Sequence, residues 1–218
     1  MKQSYFFGIS KIIFLFFLSL FYSNLTNAQT TLAAGDLAII GFNADNPDEF
    51  AFVLLVDIEA GTEITFTDSG VKSDDTFRGG EGAAKFTASS NYSAGSVIIY
   101  SGYYSALPFG DFTGANDANV GNNGLNLSAS GDQIFAFQGT TSSPTFIFGF
   151  QTNSNTWQAD ATASSNSALP SSLTNGVNAV AVGAGSGSGS EYDNSVYDQS
   201  VISGTKSTIL SAITNNTN

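Results

Sequence analysis

The sequence predicts an all-β protein, either a β-sandwich or an open β-barrel. The chain is rich in Gly, Ser, Thr, Asn and Phe and poor in Lys, Glu and Leu, a usage that favours strands joined by turns. Apolar runs of strand length recur between turn residues, and several alternate with a period of two. The seven predicted strands are Leu37–Phe42, Phe50–Val56, Glu63–Thr67, Val97–Tyr100, Gln133–Phe137, Thr145–Phe150 and Val177–Val182.

Only the C-terminal end is predicted to be helical. Ile209, Leu210 and Ile213 follow a helical spacing, and Thr205 or Ser207 is a suitable N-cap. The Gly/Ser-rich stretch 184–190 is predicted to be a mobile loop within one domain. The end at Asn218 has two interpretations, a frayed terminus or a chain that naturally continues.

The N-terminus has the pattern of a secretory signal peptide. Lys2 and Lys11 form a positive region, Ile12–Phe21 is a short apolar stretch, and Thr26–Ala28 is a small-residue cleavage site. We therefore expect a signal peptide over residues 1–28 and a β-sandwich domain over 29–218, in a bacterial protein that is secreted or on the cell surface. The apolar stretch is too short to span a bilayer comfortably, so no stable membrane span is expected after cleavage. An uncleaved anchor is the alternative.

The mature chain is strongly acidic. It keeps four basic residues against eighteen acids, a formal charge of −14. Such a surface repels nucleic acid and anionic lipid headgroups, and it attracts cations such as extracellular calcium. Solubility alone is the other explanation of the acidity. The basic residues are Lys72, Arg78, Lys85 and Lys206.

Cysteine and histidine are both absent from the sequence. No disulfide can form, and the Ser-His-Asp triad, the Cys-His pair and His-ligated metal sites are excluded. Ser69 and Lys72 match the S-x-x-K spacing of penicillin-recognising enzymes, but Gly70 lies between them in a predicted turn and no K-T-G partner exists. Paired carboxylates, as in glycosidases, remain available, with Glu63 and Glu81 as arbitrary candidates. We therefore expect no enzyme activity.

Calcium is the best-founded ligand expectation, because oxygen-rich side chains cluster in predicted turns. Neither of the first two clusters fits the EF-hand loop. For all three clusters an ordinary Asx turn, which explains the residues without a metal ion, is the favoured interpretation. The candidate ligands are Asp45, Asp48 and Glu49 in the first cluster, Asp117 and Asn119 in the second, and Asp68, Asp74 and Asp75 in the third.

Trp157 is the only tryptophan, and polar residues flank it. An exposed tryptophan in such surroundings stacks on sugar faces in many carbohydrate-binding sandwiches, so Trp157 is a candidate glycan contact. A core position is the competing interpretation.

The chain contains one internal similarity. Gly35-Asp36 and Gly131-Asp132 each open a predicted strand, and in both cases the first Phe of the next strand lies 15 positions after the Gly, at Phe50 and at Phe146. This spacing predicts two equivalent hairpins. Coincidence between two ordinary hairpins would produce it almost as readily.

Six segments of the mature chain carry a family resemblance: Gly35–Asn43, Phe50–Val53, Ile58–Asp68, Ala94–Ile98, Leu125–Phe137 and Gly204–Lys206. Together they resemble the lamin-tail-type, immunoglobulin-like sandwich module of bacterial secreted multidomain proteins. The resemblance covers most of the mature chain and implies an accessory or surface-attached β-sandwich without catalytic residues. It makes a single antiparallel sandwich with a short C-terminal helix the expected fold.

The expected function is a non-enzymatic extracellular module for adhesion, surface assembly or polysaccharide contact, with calcium as a candidate stabilising ion. Polysaccharides or other surface proteins are the expected partners. The alternatives are a carboxylate-based glycan hydrolase and an accessory domain of a larger secreted enzyme. A hydrolase should show a cleft with two acids of raised or split pKa, whereas a binding module should show a flat loop face or exposed aromatic residues.

Overall fold

A computed structural model describes residues 28–102, 110–115 and 117–217. The predicted signal peptide lies outside the described residues except for Ala28. The described part contains eleven strands and one short helix, which confirms the predicted fold class. The elements are β1 (Leu37–Asn43), β2 (Asp48–Leu54), β3 (Glu63–Thr67), β4 (Glu81–Thr87), β5 (Val97–Gly102), β6 (Phe112–Gly114), β7 (Gly121–Asn123), β8 (Gln133–Thr140), β9 (Ser143–Gln151), β10 (Ala179–Ala181), β11 (Asn194–Val196) and α1 (Lys206–Ile213).

The strands form two sheets. The small sheet has the order β11-β1-β2-β5, and the large sheet has the order β10-β9-β8-β3-β4-β6 with β7 beside β4. Most pairings are antiparallel, but β10 with β9 and β7 with β4 are parallel. The two hairpins expected from the Gly-Asp similarity are present: β1–β2 in the small sheet and β8–β9 in the large one.

Phenylalanine side chains fill the space between the sheets. Phe50 and Phe52 of β2 face Phe66 of β3, with ring centroids 4.9 and 4.8 Å apart. Because side chains alternate along a strand, β8 directs Ile134 into this core and Phe135 to the opposite face of the large sheet. The loops after β3 and β9 cover that opposite face, so the large sheet has a core on both sides.

Helix α1 begins where the sequence predicts it. Thr205 is the N-cap, and its hydroxyl accepts a hydrogen bond from the Thr208 amide at 3.2 Å. Leu210 and Ile213 then pack against the main core. Within the described ranges, no helix is long and apolar enough to span a bilayer.

Candidate functional site

One end of the sandwich collects four acidic side chains. Asp48 begins β2, Asp68 follows β3, Glu81 begins β4 and Asp132 precedes β8. The antiparallel register of β3 with β4 and with β8 brings the end of β3 to the starts of its two neighbours. Asp68, Glu81 and Asp132 line a cavity of about 500 Å³. We call these three residues the acidic cluster. The other lining residues are Gly80, Asn126, Ser128 and Ser164.

The two aspartates of the cluster are almost completely buried, with Asp68 1% and Asp132 4% exposed. Asp68 accepts hydrogen bonds from the backbone amides of Gly82 and Asn126, both at 2.6 Å. Asp132 accepts from the Ser128 amide at 2.9 Å. These carboxylates therefore hold loop backbone in place as well as lining the cavity.

Glu81 lies closer to the surface than the two aspartates. Its Oε2 accepts a hydrogen bond from the Gly70 amide at 3.1 Å, and its Oε1 is 3.5 Å from the Arg78 guanidinium. Arg78 is the only cationic side chain within ion-pair distance of the cluster among the described residues.

Burial raises the pKa of all three carboxyl groups. The pKa of Asp68 rises to about 7 because desolvation outweighs the amide hydrogen bonds that favour its ionised form. Desolvation and the neighbouring charge of Asp68 raise the pKa of Glu81 to about 8. The same two causes raise the pKa of Asp132 well above its usual range. The cluster therefore retains protons near neutral pH and is chemically able to act as a proton donor or acceptor.

A buried carboxamide borders the cluster. The Gln133 Nε2 donates to the Ser164 carbonyl at 2.8 Å, to the Asp132 carboxylate at 2.9 Å and to the Asp68 carbonyl. Its Oε1 is buried and has no hydrogen-bond partner among the residues that the structure describes. The carboxamide thus links Asp68, Asp132 and Ser164, three of the residues that line the cavity.

The structure separates the first set of calcium candidates. Asp48 and Glu49 are adjacent in β2, so their side chains lie on opposite faces of the small sheet. Asp48 is buried and accepts from the Leu127 amide at 2.8 Å, whereas Asp45 accepts from the Asn194 side chain at 2.9 Å. Asp48 therefore belongs beside the acidic cluster, and calcium binding by these residues stays a prediction.

The second calcium candidates, Asp117 and Asn119, form an Asx turn. The Asp117 Oδ1 accepts from the Asn119 amide at 2.8 Å and from the Thr141 hydroxyl at 2.7 Å. These hydrogen bonds lower the pKa of Asp117. The turn explains both residues without a metal ion, so a calcium role for them also stays a prediction.

The third candidates do not share an environment. Asp74 accepts from the Thr76 hydroxyl at 2.6 Å, and Asp75 accepts from the Ser171 amide at 2.8 Å, both in exposed surroundings. Asp68 instead bonds to Gly82 and Asn126. Within residues 28–102, 110–115 and 117–217, no group of three or more acidic side chains is arranged to hold a metal ion.

Trp157, the glycan-contact candidate, is half-buried and packs against the outer core of the large sheet. Its ring centroid lies 5.7 Å from that of Phe135, and its indole N–H donates to the Asn175 side chain at 3.0 Å. The indole therefore has the contacts of a packing residue. These contacts agree with the competing interpretation of the sequence, a core position for Trp157.

Ser69 and Lys72, the residues of the S-x-x-K match, lie in the loop between β3 and β4. The buried Ser69 hydroxyl accepts from the Gly79 amide at 2.9 Å, and the Lys72 amide donates to the Thr76 carbonyl at 2.8 Å. Both residues thus fasten this loop, and they do not share the helix face on which the S-x-x-K spacing depends.

The outer face of the small sheet is the second notable surface. The register aligns Val196, Gly41, Ala51 and Ile99 in one row across all four strands. Val196 is 73% exposed and Ile99 is 58% exposed. Val97, which is 54% exposed, pairs with Val53 in a neighbouring row. We call these six residues the apolar face.

The sequence patterns do not bring the three residues of the acidic cluster together. From the sequence, Asp68 is a calcium candidate, Glu81 is an arbitrary carboxylate and Asp132 is part of a repeated motif. The available signal was positional, since each acid lies at the boundary of a strand. The positions of these acids indicate a cluster only when the order of the strands in the large sheet is known.

Comparisons of this chain with protein-family models, curated proteins and solved structures found no match.

Proposed function

We propose that this chain is a non-enzymatic extracellular module that acts in surface assembly. Of the expected functions, surface assembly is the one that the apolar face supports best. Isolated apolar residues are common on protein surfaces, whereas a contiguous apolar patch on a sheet favours an interaction site. The aligned row of Val196, Gly41, Ala51 and Ile99 is such a patch.

The shape and position of the apolar face support a contact with another protein. Gly41 and Ala51 form a low centre, while Val196 and Ile99 stand at the two sides. Strand β5, which carries Ile99, is an edge strand of the small sheet. An edge strand offers unpaired backbone groups to a further strand, so face and edge could contribute to one interface.

Polysaccharide contact has weaker support. Trp157, the residue expected to stack on a sugar, uses its ring and its indole N–H in contacts within the protein. These internal contacts favour surface assembly over glycan binding.

We further propose that the module belongs to the lamin-tail-like, immunoglobulin-like class and is exported. The segments that carry the resemblance contribute β1, β2, β3, β5, β8 and the start of α1. The resemblance thus includes strands of both sheets. This supports a shared arrangement of the whole sandwich, because a likeness confined to one hairpin would involve a single sheet.

Sedimentation velocity over a range of protein concentrations tests assembly. We expect the wild type to self-associate and Ile99→Lys to reduce association at least tenfold, because the substitution places a charge in the apolar face. Val177→Lys is the matched control, since Val177 is 53% exposed but adjoins the large sheet. A wild type that remains monomeric at every concentration would contradict self-assembly through this face.

A carboxylate-based glycan hydrolase is the second candidate, and the acidic cluster favours it. Asp68 and Glu81 meet the criterion of acids with raised pKa values beside a cavity. The described lining of that cavity contains no aromatic ring for a sugar to stack on, which keeps hydrolysis second. Hydrolysis of a polysaccharide panel that is lost in Glu81→Gln and retained in Glu63→Gln would favour the hydrolase over the assembly module.

A further inference from the structure

The segment Leu125–Ser128 between β7 and β8 is held almost entirely by side chains. Its four consecutive backbone amides each donate to a different side-chain oxygen. We call this segment the strap. The acceptors are the Tyr100 hydroxyl for Leu125 at 3.1 Å, Asp68 for Asn126 at 2.6 Å, Asp48 for Leu127 at 2.8 Å and Asp132 for Ser128 at 2.9 Å.

The four acceptors come from both sheets. Asp48 and Tyr100 belong to β2 and β5 of the small sheet, whereas Asp68 and Asp132 adjoin β3 and β8 of the large sheet. The strap also inserts the buried Leu125 and Leu127 into the main core. It therefore closes one end of the sandwich across the gap between the sheets.

The strap also forms part of the wall of the acidic cavity. Asn126 and Ser128 line the cavity together with the acidic cluster. A strap that moved away would expose the cluster and the leucine side chains to water.

We propose that the strap is a proton-controlled closure, held shut while the acidic cluster retains its protons and released when the cluster ionises. This inference is independent of the assembly function proposed above. Three of the four amides donate to carboxyl groups. Ionisation strengthens each of these hydrogen bonds, but it also leaves several negative charges buried side by side, and release of the strap relieves that desolvation and repulsion.

Several titratable groups face the strap, and they come from every neighbouring element. Apart from Arg78 at Glu81, all of them are acids or a tyrosine. Ionisation therefore adds negative charge to a site in which acids raise one another's pKa. The groups are Asp48 of β2, Asp68 after β3, Glu81 of β4, Tyr100 of β5, Asp132 before β8, and Glu191, which borders Gly131.

The closed and open states should bind protons with different affinity. In the closed state burial raises the pKa of Asp68 to about 7, and in an open, hydrated state the pKa should return toward 3.8. Closure is then strongest at low pH, and the opening constant rises about tenfold per pH unit between these two pKa values for each proton released. The contribution of Asp68 should level off above about pH 7.

Amide hydrogen exchange, followed by NMR on the purified protein from pH 5 to pH 8, tests the inference. Protection factors corrected for intrinsic exchange should fall about tenfold per pH unit from pH 5 to pH 7 at the four strap amides. The reference is the Leu55 amide, which donates to the Asp36 carbonyl at 2.8 Å in the small sheet. It should exchange more slowly at every pH, because strap opening leaves this hydrogen bond intact and only global unfolding exposes the amide.

Two variants separate cluster charge from a general effect of acidity. Glu81→Gln removes a cluster charge without removing a strap acceptor, so the strap should stay protected to a higher pH. Glu63→Gln removes an acid that pairs with Lys85 at 3.1 Å outside the cluster, and it should leave the profile unchanged. The inference is overturned if the wild-type strap amides are as strongly protected as the Leu55 amide at every pH, or if their protection does not change between pH 5 and pH 8.

Discussion

The β1–β2 and β8–β9 hairpins lie in different sheets, and both begin with a Gly-Asp pair. Gly35 and Gly131 have the same φ of 82°, and each following aspartate accepts a hydrogen bond from a preceding backbone amide. Asp36 accepts from Ala33 at 2.6 Å, and Asp132 accepts from Ser128 at 2.9 Å. At the level of local structure the two hairpins therefore start in nearly the same way.

The charged neighbours of the two aspartates are opposite in sign. Asp36 forms an ion pair with Lys206 at the start of α1. Asp132 instead lies near the carboxyl groups of Asp68 and Glu81, which help to raise its pKa. One local motif therefore serves two roles, and the distant elements that pack on it decide which one. The first aspartate joins helix to sheet, and the second belongs to a proton-retaining cluster.

The largest expected effect is on the pH dependence of stability, which originates at the acidic cluster beside the second hairpin. The folded-state pKa values of Asp68 and Glu81 are about 7 and 8, against ordinary values of 3.8 and 4.5. The folded state thus binds protons more tightly, so stability is fully present below about pH 4 and falls as the pH rises toward 8. For Asp68 alone the loss is on the order of 4 kcal/mol.

Urea unfolding at pH 5 and pH 8 measures most of this loss. Lowered pKa values, as at Asp74, affect stability only below about pH 4 and do not interfere in this window. Glu81→Gln should reduce the difference between the two pH values, and Glu63→Gln should preserve it. Greater stability of the wild type at pH 8 than at pH 5 would show that the cluster is not proton-retaining.

The paired glycines provide the next comparison. Alanine is strained at both positions because φ is positive, which costs about 1 kcal/mol. At Gly35 the added Cβ would meet the end of the Leu210 side chain at 2.7 Å, which can rotate away. At Gly131 it would meet the Asn153 backbone at 2.6 Å. We expect Gly131→Ala to cost about 3 kcal/mol or more and Gly35→Ala about 1 to 2 kcal/mol. Equal losses in chemical denaturation would contradict the difference in packing.

The ion pair of the first hairpin should have a smaller effect. Lys206→Met or Asp36→Asn should each lower the free energy of unfolding by about 1 kcal/mol at pH 7, because the pair is only partly exposed. The double variant should cost less than the two single losses together, since each removes the same interaction. Strict additivity would indicate that the two side chains do not stabilise one another.

The sequence predicted the fold better than the site, for reasons visible in particular residues. Strands with long apolar runs, such as β2 and β9, were predicted, whereas β4 was missed because it begins with Glu81, Gly82 and two alanines. A Cβ on Gly82 would lie 1.8 Å from the Gly124 carbonyl oxygen, so this strand requires a small residue where strand propensity favours a large one. The small residues that this close backbone contact requires thus weaken the apolar alternation by which a strand is predicted.

The acidic cluster was beyond a pattern-based prediction. Asp68 and Asp132 are far apart in the chain and meet because β3 and β8 are neighbours in the large sheet. Hydrophobic alternation predicts which face of a strand is buried, but it does not determine the order of strands. The Gly-Asp motif was visible in the sequence, yet the charges around its two aspartates depend on that order.

The smallest expected effect concerns calcium and the turns of the two hairpins. The β1–β2 turn contains Asp45, whereas the β8–β9 turn at Thr141 and Ser142 contains no acid, so a calcium effect would mark a further difference between them. Because Asp48 and Glu49 lie on opposite faces of β2, we expect thermal melts in excess calcium and in excess chelator to agree within about 1 °C.

A large, saturable rise of the melting temperature in calcium that Asp45→Asn abolishes would instead establish the first turn as a cation site. A rise that survives Asp45→Asn but is lost in Glu81→Gln would place the ion at the acidic cluster, where its charge would lower the pKa of the carboxyl groups and release their protons.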